Sequence, residues 1–484
     1  MTLRNHRFLF FQVGLILVFL LQIIWHMPGT IALRNSLLGV FAVLTMGVCL
    51  TRRLDQVVSS RLPLWPMAMI FALTGWIVIV NSFWADYPAL SWAEFRSQWL
   101  LPVLSFSFAW LFANCALRVD SDNHARLLKV VFWAYLLQVV LHDVMALGFY
   151  LETGGLPFRN APVLDLPNTL RNIGDITAFS QAFSGQNPGF FSYVNAILSA
   201  ILVAEIVQRL LTGKRQLPYS NGLLTGAVIA VLVCSYTLMM RNGNVGLLLL
   251  LFFAAIMVAY RKLGDVQPIK VVSIFAIFFL ALGATGYAFI KSDTRWQGLA
   301  DTVPYAWDTK VHKAWLYGEP YPVMPNGKMV EISAYERTAW LKEGLILVAE
   351  RPFGSGYDRN AWGGRLVDKY QVEGKSRGGH SHNGILDFAV ATGVPGMLLW
   401  LSFLASLAWI GFRAFKQGAV MEGLMLLFLV TGYFGRSMVD SVIRDHFLQV
   451  FMFLSGYFLA LCQSATASVS RGQSIEISTG SQPR

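Results

Sequence analysis

The chain has 484 residues, of which 55% are hydrophobic and only 13% are charged, with 38 Lys and Arg against 27 Asp and Glu. This composition excludes a soluble globule built around one buried core, and it is typical of a protein dissolved in lipid. In a membrane protein an excess of basic residues mainly sets the orientation of the helices, so the net charge of +11 does not indicate nucleic-acid binding.

Apolar runs recur along the chain, and a helix needs about 20 such residues to cross a bilayer. They predict an all-α polytopic membrane protein with about twelve transmembrane helices. The predicted spans are 8–25, 31–50, 64–83, 98–116, 128–150, 189–209, 222–240, 245–260, 269–290, 384–410, 422–437 and 446–463.

The orientation follows from basic residues, which resist translocation and gather in alternate short loops. They predict an arrangement with both termini in the cytoplasm. The basic residues kept inside are Arg4, Arg7, Arg52, Arg53, Arg61, Arg118, Arg126, Lys129, Arg209, Lys214, Arg215, Arg261, Lys262, Lys270, Arg413 and Lys416.

This topology divides the chain into four parts. Residues 1–290 hold helices one to nine with an external loop at 151–188, and residues 291–383 form a large external loop with an amphipathic helix. Residues 384–463 hold the last three helices, and residues 464–484, rich in Ser, Thr, Gly and Gln, form a disordered cytoplasmic tail. Loops this long are usually functional, so the two external segments are expected to be folded caps.

Two arginines stand out at the outer face. Arg241 ends the seventh span in LMMRNGNVGLLLL, before a tight turn back into lipid. It is either an interfacial arginine that extends its head to water or a fixed cation for an anionic group of a membrane-embedded substrate. Arg337 lies in ERTAWLKEGLILVAERP, a helix that either lies on the membrane or packs the large loop. If the helix is on the outer surface, Arg337 is a second cation there.

Two histidines, His380 and His382, precede the tenth span in EGKSRGGHSHNG, and Asn383 follows them. Residues at i and i+2 do not share a helix face, and no third ligand stands at metal spacing, so the pair does not predict a metal site. An imidazole, with an ordinary pKa of about 6.5, is a natural proton acceptor at neutral pH. A histidine that only makes structural hydrogen bonds is the alternative.

The string HNGILDFAVATGVPG resembles the signature of the O-antigen ligases: His, then Asn, Ser or Gln, nine residues, then GxxG. His382 and Asn383 match its start and Gly393 and Gly396 its end, whereas His380 does not fit. MRNGN and ERTAWLKEGLILVAERPFGSGY resemble the two arginine segments of the wider superfamily, which also holds O-antigen polymerases and protein O-oligosaccharyltransferases. The resemblance covers about residues 225–440, and it departs from the family at Met240, where a serine is usual.

The resemblance implies a GT-C-like membrane glycosyltransferase of the bacterial inner membrane with a periplasmic active site, acting in lipopolysaccharide biosynthesis. It would transfer polysaccharide from undecaprenyl pyrophosphate to a sugar hydroxyl of lipid A-core. His382 would be the general base, and Arg241 and Arg337 would bind the donor pyrophosphate. Asn383, His380 and Asp440 are the supporting residues. Asn383 would orient His382 or the acceptor, and Asp440 would hold a histidine or an acceptor sugar unless it only pairs with Arg436 or Arg444.

With arginines on the pyrophosphate, the expected enzyme needs no metal and no other cofactor, and its partners are the lipid-linked donor, the lipid A-core acceptor and membrane lipids, not nucleic acid. A metal-using enzyme of another lipid-linked class is the competing interpretation, through Asp86 and Glu94. The DSD at Asp120–Asp122 also suits metal binding, but it is predicted to be cytoplasmic.

Three other functions stay open: an O-antigen polymerase, a protein O-oligosaccharyltransferase and, from a different class, a lipid or oligosaccharide transporter. Polymerases carry an R-x10-G pattern in their outer loops. The eleventh residue is Val348 after Arg337 and Trp362 after Arg351, so the pattern is missing and a ligase is favoured. Transporters usually have internal repeats and interrupted spans around a midplane site, and the sequence has neither.

Overall fold

The computed structural model describes residues 3–25, 27, 30–50, 65–119, 123–153, 188–238, 240–262, 299–318, 320–372 and 379–479, together with residues 273, 276, 280 and 283. These residues are helical apart from loops and one isolated antiparallel bridge, Val323 to Met329. Backbone groups in lipid must be satisfied within the segment itself, which is why spanning segments form helices.

The helices are named in chain order. They are α1 (Leu3–Ile24), α2 (Ile31–Leu50), α3 (Trp65–Phe83), α4 (Pro88–Glu94), α5 (Leu101–Val119), α6 (Asn123–Thr153), α7 (Pro188–Thr212), α8 (Asn221–Leu238), α9 (Arg241–Lys262), α10 (Leu299–Trp307), α11 (Ala314–Tyr317), α12 (Ile332–Glu350), α13 (Ala361–Tyr370), α14 (Gly384–Lys416), α15 (Val420–Ser437) and α16 (Asp445–Thr479). A π-helical turn, Phe95–Leu100, joins α4 to α5.

Eleven of the twelve predicted spans coincide with helices, and the remaining one, 269–290, lies outside the described residues apart from four isolated positions. Within the described chain, eight helices are long and apolar enough to cross a membrane, and two shorter apolar helices lie at Leu9–Ile24 and Ile31–Gly47. The chain is therefore a multi-pass helical membrane protein, while its exact number of spans stays a prediction. The external loop predicted at 151–188 falls almost wholly outside the described residues, as does Asp120–Asp122.

The last three long helices form the centre of the bundle. α16 packs most extensively against α5, and α14 packs against both α15 and α3. The backbones of α14 and α15 approach closely where glycines face each other: a Cβ on Gly411 would lie 2.7 Å from the carbonyl oxygen of Gly423. Small residues at such crossings allow helices to pack in lipid, where no hydrophobic force drives them together. α16 continues to Thr479, so residues 464–479, predicted as a disordered tail, are helical.

Residues 299–318 and 320–372, together called the cap, hold α10 to α13 and have their own apolar core. Its largest buried side chains include Trp315, Tyr335 and Trp362. Two residues of α14, Val390 and Ala391, belong to the same core, so the cap is packed directly on the first half of α14. The cap therefore has a fixed position relative to the residues that begin α14.

Ion pairs also join the cap to the bundle. Arg359 contacts both Glu94 of α4 (Nε to Oε2, 3.1 Å) and Asp445 of α16 (Nη1 to Oδ1, 2.5 Å). Arg365 Nη1 lies 3.1 Å from Asp86 Oδ2, in the turn between α3 and α4. These pairs compensate carboxylates that would otherwise be unpaired close to lipid.

Candidate active site

His382 and Asn383 lie directly before α14, and local hydrogen bonds fix them there. Asn383 is the N-cap of α14, and its side-chain oxygen accepts a hydrogen bond from the Leu386 backbone N–H at 3.0 Å. Ser381 Oγ accepts from the Asn383 N–H at 3.1 Å, and Asp387 Oδ1 accepts from the Ser381 N–H at 2.9 Å. Asn is among the preferred N-cap residues because its short side chain satisfies a free N–H of the first turn. Here it also determines where the preceding histidine lies.

The imidazole of His382 is about one third exposed and has three close neighbours. It stacks on the Trp340 ring at a centroid distance of 5.6 Å and an interplanar angle of 14°. Its Nδ1 lies 3.8 Å from Asp440 Oδ1, and its ring centroid lies 4.3 Å from that of His380. His382 has a left-handed backbone (φ 55°), which costs a non-glycine residue about 1–2 kcal/mol. The surrounding structure therefore holds this side chain in one place.

His380 supports the backbone of His382. Its Nδ1 accepts a hydrogen bond from the His382 N–H at 3.3 Å, which requires that nitrogen to be unprotonated. Burial, followed by the nearby His382, Arg444 and Arg337, lowers the pKa of His380 to about 4 against the opposing charge of Asp440. His380 is therefore neutral at physiological pH and acts as an acceptor.

Asp440 lies between α15 and α16 and faces two side chains, His382 and Arg436. Its Oδ1 faces His382, and its Oδ2 lies 3.9 Å from Arg436 Nη2. Burial raises the pKa of the Asp440 carboxyl, but its interactions with His382 and Arg436 outweigh burial, so the net pKa is lowered. Asp440 therefore lies near both of the partners that the sequence suggested for it, a histidine and Arg436. Arg444 instead donates to the backbone oxygen of Arg359 at 3.2 Å.

Arg337 lies on α12, one turn before Trp340, with its side chain exposed. Trp340 is anchored in the cap, because its Nε1 donates to the Trp315 carbonyl oxygen at 3.1 Å. The structure therefore brings Arg337 to the same side as His382, near enough for its charge to contribute to the low pKa of His380.

Arg241 begins α9, and its side chain lies outside the described residues. The backbone two residues later can be followed, since a Cβ on Gly243 would overlap Ser192 Oγ of α7. Ser192 Oγ in turn accepts a hydrogen bond from Arg436 Nη1 at 3.4 Å. Through Ser192 and Arg436, the start of α9 is connected to Asp440, at the end of the bundle where His382 lies.

The backbone conformation and the close packing around the predicted motif explain its two glycines. Gly393 interrupts α14 with a backbone (φ 72°, ψ 179°) that only glycine adopts without strain. The turn that includes Pro352 and Gly354 packs into this kink, where the Val394 N–H donates to the Pro352 oxygen at 2.8 Å. Gly396 leaves room for Thr392 and Trp76. His382–Asn383 and Gly393–Gly396 are thus the two ends of one short helical segment that seats the cap.

The carboxylates that would serve a metal-using enzyme are already paired. Asp86 contacts Arg365 and Glu94 contacts Arg359, which accounts for both charges within the fold. Among the described residues, one group of donors, His142, Asp143 and Cys234, has ligand atoms within 4.8 Å of one another, and it includes none of the residues around His382.

Sequence reasoning missed two members of the site as functional residues. Trp340 stacks on His382 from a helix more than 40 residues earlier in the chain, and no local sequence pattern indicates that contact. Arg436 was considered only as a partner of Asp440. A buried arginine four residues before an aspartate at a helix end was the available signal.

A histidine, a carboxylate and arginines thus lie close together beneath a packed cap in a helical membrane protein, an arrangement that suits acid–base and anion-binding chemistry. Residues 226–401 match the family described as O-antigen ligase, and this segment includes Arg241, Arg337, His382 and Asn383 but not Asp440. This match supports membership of the O-antigen ligase superfamily, and that family implies a glycosyltransferase-like enzyme. A comparison with the curated proteins finds no match.

Proposed function

We propose that the protein is an O-antigen ligase. It transfers a preassembled polysaccharide from undecaprenyl pyrophosphate to a sugar hydroxyl of lipid A-core at the periplasmic face of the inner membrane. The observation that carries this proposal is the imidazole of His382, which stacks on Trp340 and faces Asp440. His382 lies within the segment that matches the ligase family.

In the proposed reaction His382 acts as the general base. Asp440 Oδ1 lies 3.8 Å from Nδ1, and its negative charge favours the tautomer with the proton on Nδ1, which leaves Nε2 free to take the proton of the acceptor hydroxyl. The acceptor oxygen then bonds to the anomeric carbon of the donor while the bond from that carbon to the pyrophosphate oxygen breaks. General-base catalysis of this kind contributes about 10²–10⁴ in rate.

The departing undecaprenyl pyrophosphate takes the bonding electron pair and gains negative charge. Arg337 and Arg241 are proposed to stabilise this charge, because a guanidinium remains charged in any environment and matches phosphate oxygens. A divalent cation is then not required. Asn383 contributes through its helix cap, which fixes the backbone of His382.

The proposed orientation rests on charge. The far end of the bundle, opposite His382, carries the basic residues of the short loops, among them Arg209, Arg261 and Lys416. Basic loops usually remain in the cytoplasm, which supports a periplasmic location for the His382 end.

The test is in vitro ligation with purified lipid-linked donor and lipid A-core acceptor. The wild-type protein should add polysaccharide to the core, with and without EDTA, and His382→Ala should abolish transfer while the protein still folds in the membrane. The control is His312→Ala, which removes a cap histidine whose ring contacts Tyr305. Lengthening of the donor without product on the core would identify a polymerase, and near wild-type activity of His382→Ala would refute the mechanism.

A further inference from the structure

Arg436 is a buried cation that the proposed reaction does not use. Its side chain is only 9% exposed, at the end of α15. Its guanidinium carbon lies 5.6 Å from the ring centroids of both Tyr193 and Phe447. A charge in such a place is costly unless several partners compensate it.

The partners of Arg436 come from both halves of the site. On one side its Nη2 faces Asp440, whose other oxygen faces His382. On the other side it donates to Ser192 Oγ and to the carbonyl oxygen of Gly189, at the start of α7. Ser192 is the residue against which Gly243 of α9 packs. One guanidinium thus touches the carboxylate that faces the base and the helix end that supports the Arg241 segment.

We propose that Arg436 is a positioning residue for the transfer reaction, which fixes the Asp440 carboxylate towards His382 and joins it to the start of α9. This inference rests on the proposed function and on the roles given there to His382 and Asp440.

The physical argument concerns charge and geometry. The cation favours the ionised form of Asp440, and the charge of Asp440, 3.8 Å from Nδ1 of His382, favours one tautomer of the ring. It also offsets part of the carboxylate's negative charge, so the protonated form of His382 is stabilised less than it would be by Asp440 alone. A planar guanidinium can satisfy the Gly189, Ser192 and Asp440 oxygens together, which a lysine ammonium cannot do with the same geometry.

Other charged and titratable groups surround His382 and set the background for any pH effect. They are His380, Asp387, Arg337, Asp440, Arg436 and Arg444. A substitution at Arg436 changes one of these six groups and leaves the other five unchanged.

The experiment measures ligation rate against pH for purified, full-length protein in nanodiscs. For Arg436→Gln we expect kcat to fall about 10–100-fold. We also expect the acid limb of the profile to move to higher pH by about 0.5 unit or more, since the His382 imidazolium gains stability when the cation is lost. Arg436→Lys, which keeps the charge, should restore the acid limb but only part of kcat. The control is Arg96→Gln, an exposed arginine that bonds within its own helix, and it should match wild type.

A lower kcat with an unmoved acid limb would mean that Arg436 only supports the fold, and this result overturns the inference. So does a profile for Arg436→Gln that equals that of Arg96→Gln. If Arg436→Gln does not fold, Arg436→Gln with Asp440→Asn is compared with Asp440→Asn alone, and the double variant should have its acid limb at higher pH. If the acid limbs of these two variants lie at the same pH, the inference is refuted. Full activity of His382→Ala would instead refute the proposed function itself.

Discussion

Replacing Gly393 by alanine tests whether the kink in α14 holds the site together. The φ of 72° and ψ of 179° at this position belong almost only to glycine, and forcing another residue into such a region costs about 1–3 kcal/mol. A Cβ there would also lie 2.5 Å from the Pro352 oxygen and 2.6 Å from the Gly354 nitrogen. Both neighbours are backbone atoms, so the cap turn itself has to move.

Overpacking of this kind costs about 1–3 kcal/mol, and with the backbone strain the total is roughly 2–6 kcal/mol. The measurement is thermal unfolding of purified protein in one detergent, followed by ligation activity. Gly393→Ala should lower the midpoint temperature by about 5 °C or more and abolish most activity, because the segment that carries His382 no longer packs against the turn of the cap.

The matched control is Gly432→Ala in α15, where a new Cβ meets nothing within 4 Å and the helix gains propensity. It should unfold at or above the wild-type temperature. If Gly393→Ala unfolds within about 2 °C of Gly432→Ala, the kink is not a constraint and the structural reading of the motif is wrong.

Two other predictions concern charge. Arg359→Gln removes the cation that Glu94 and Asp445 share, so it should destabilise the protein by about 1–3 kcal/mol in thermal unfolding, and adding Glu94→Gln should recover part of the loss. Equal stability of Arg359→Gln and wild type would contradict this. The second uses His380, whose pKa is lowered to about 4 mainly by burial. The unfolded chain protonates His380 near pH 6.5 and the folded chain only near pH 4, so this group lowers the free energy of unfolding as the pH drops from 6.5 to 4. His380→Gln should make this loss of stability with falling pH less steep. An unchanged slope between pH 6.5 and 4 would refute the prediction.

Hydropathy predicted where the spans lie but not where the helices end, and α5 shows why. The predicted span begins at 98, whereas α5 is the last part of a continuous helical stretch that begins at Pro88 with α4, passes through the π-helical turn and includes Glu94 and Arg96. A window of hydropathy stops at charged residues. The structure tolerates Glu94 because Arg359 of the cap, 265 residues later in the chain, compensates it. No local pattern can report a partner that distant.

The site divides in the same way. A local motif pointed to His382 and Asn383, because the helix cap and the glycine spacing that define the motif lie within one short stretch of sequence. The stack on Trp340 and the contact of Asp440 with Arg436 depend on how α12, the start of α14 and the end of α15 meet. For Asp440, local spacing pointed equally to Arg436 and to Arg444, and only the packing separates them.

Most residues of this motif therefore fix the shape of the segment, and only His382 is proposed to take part in the reaction. Asn383 caps the segment at one end, and Gly393 bends it at the other so that the cap can dock. Both act on the same rigid piece, and docking of the cap brings Trp340 onto the ring of His382. A general base must keep its free nitrogen aimed at one hydroxyl, and a stacked ring on a capped, kinked segment has few other directions available. The left-handed backbone of His382 is the strain that this arrangement maintains, so loosening any of the three supports should lower the rate before it lowers the amount of folded protein.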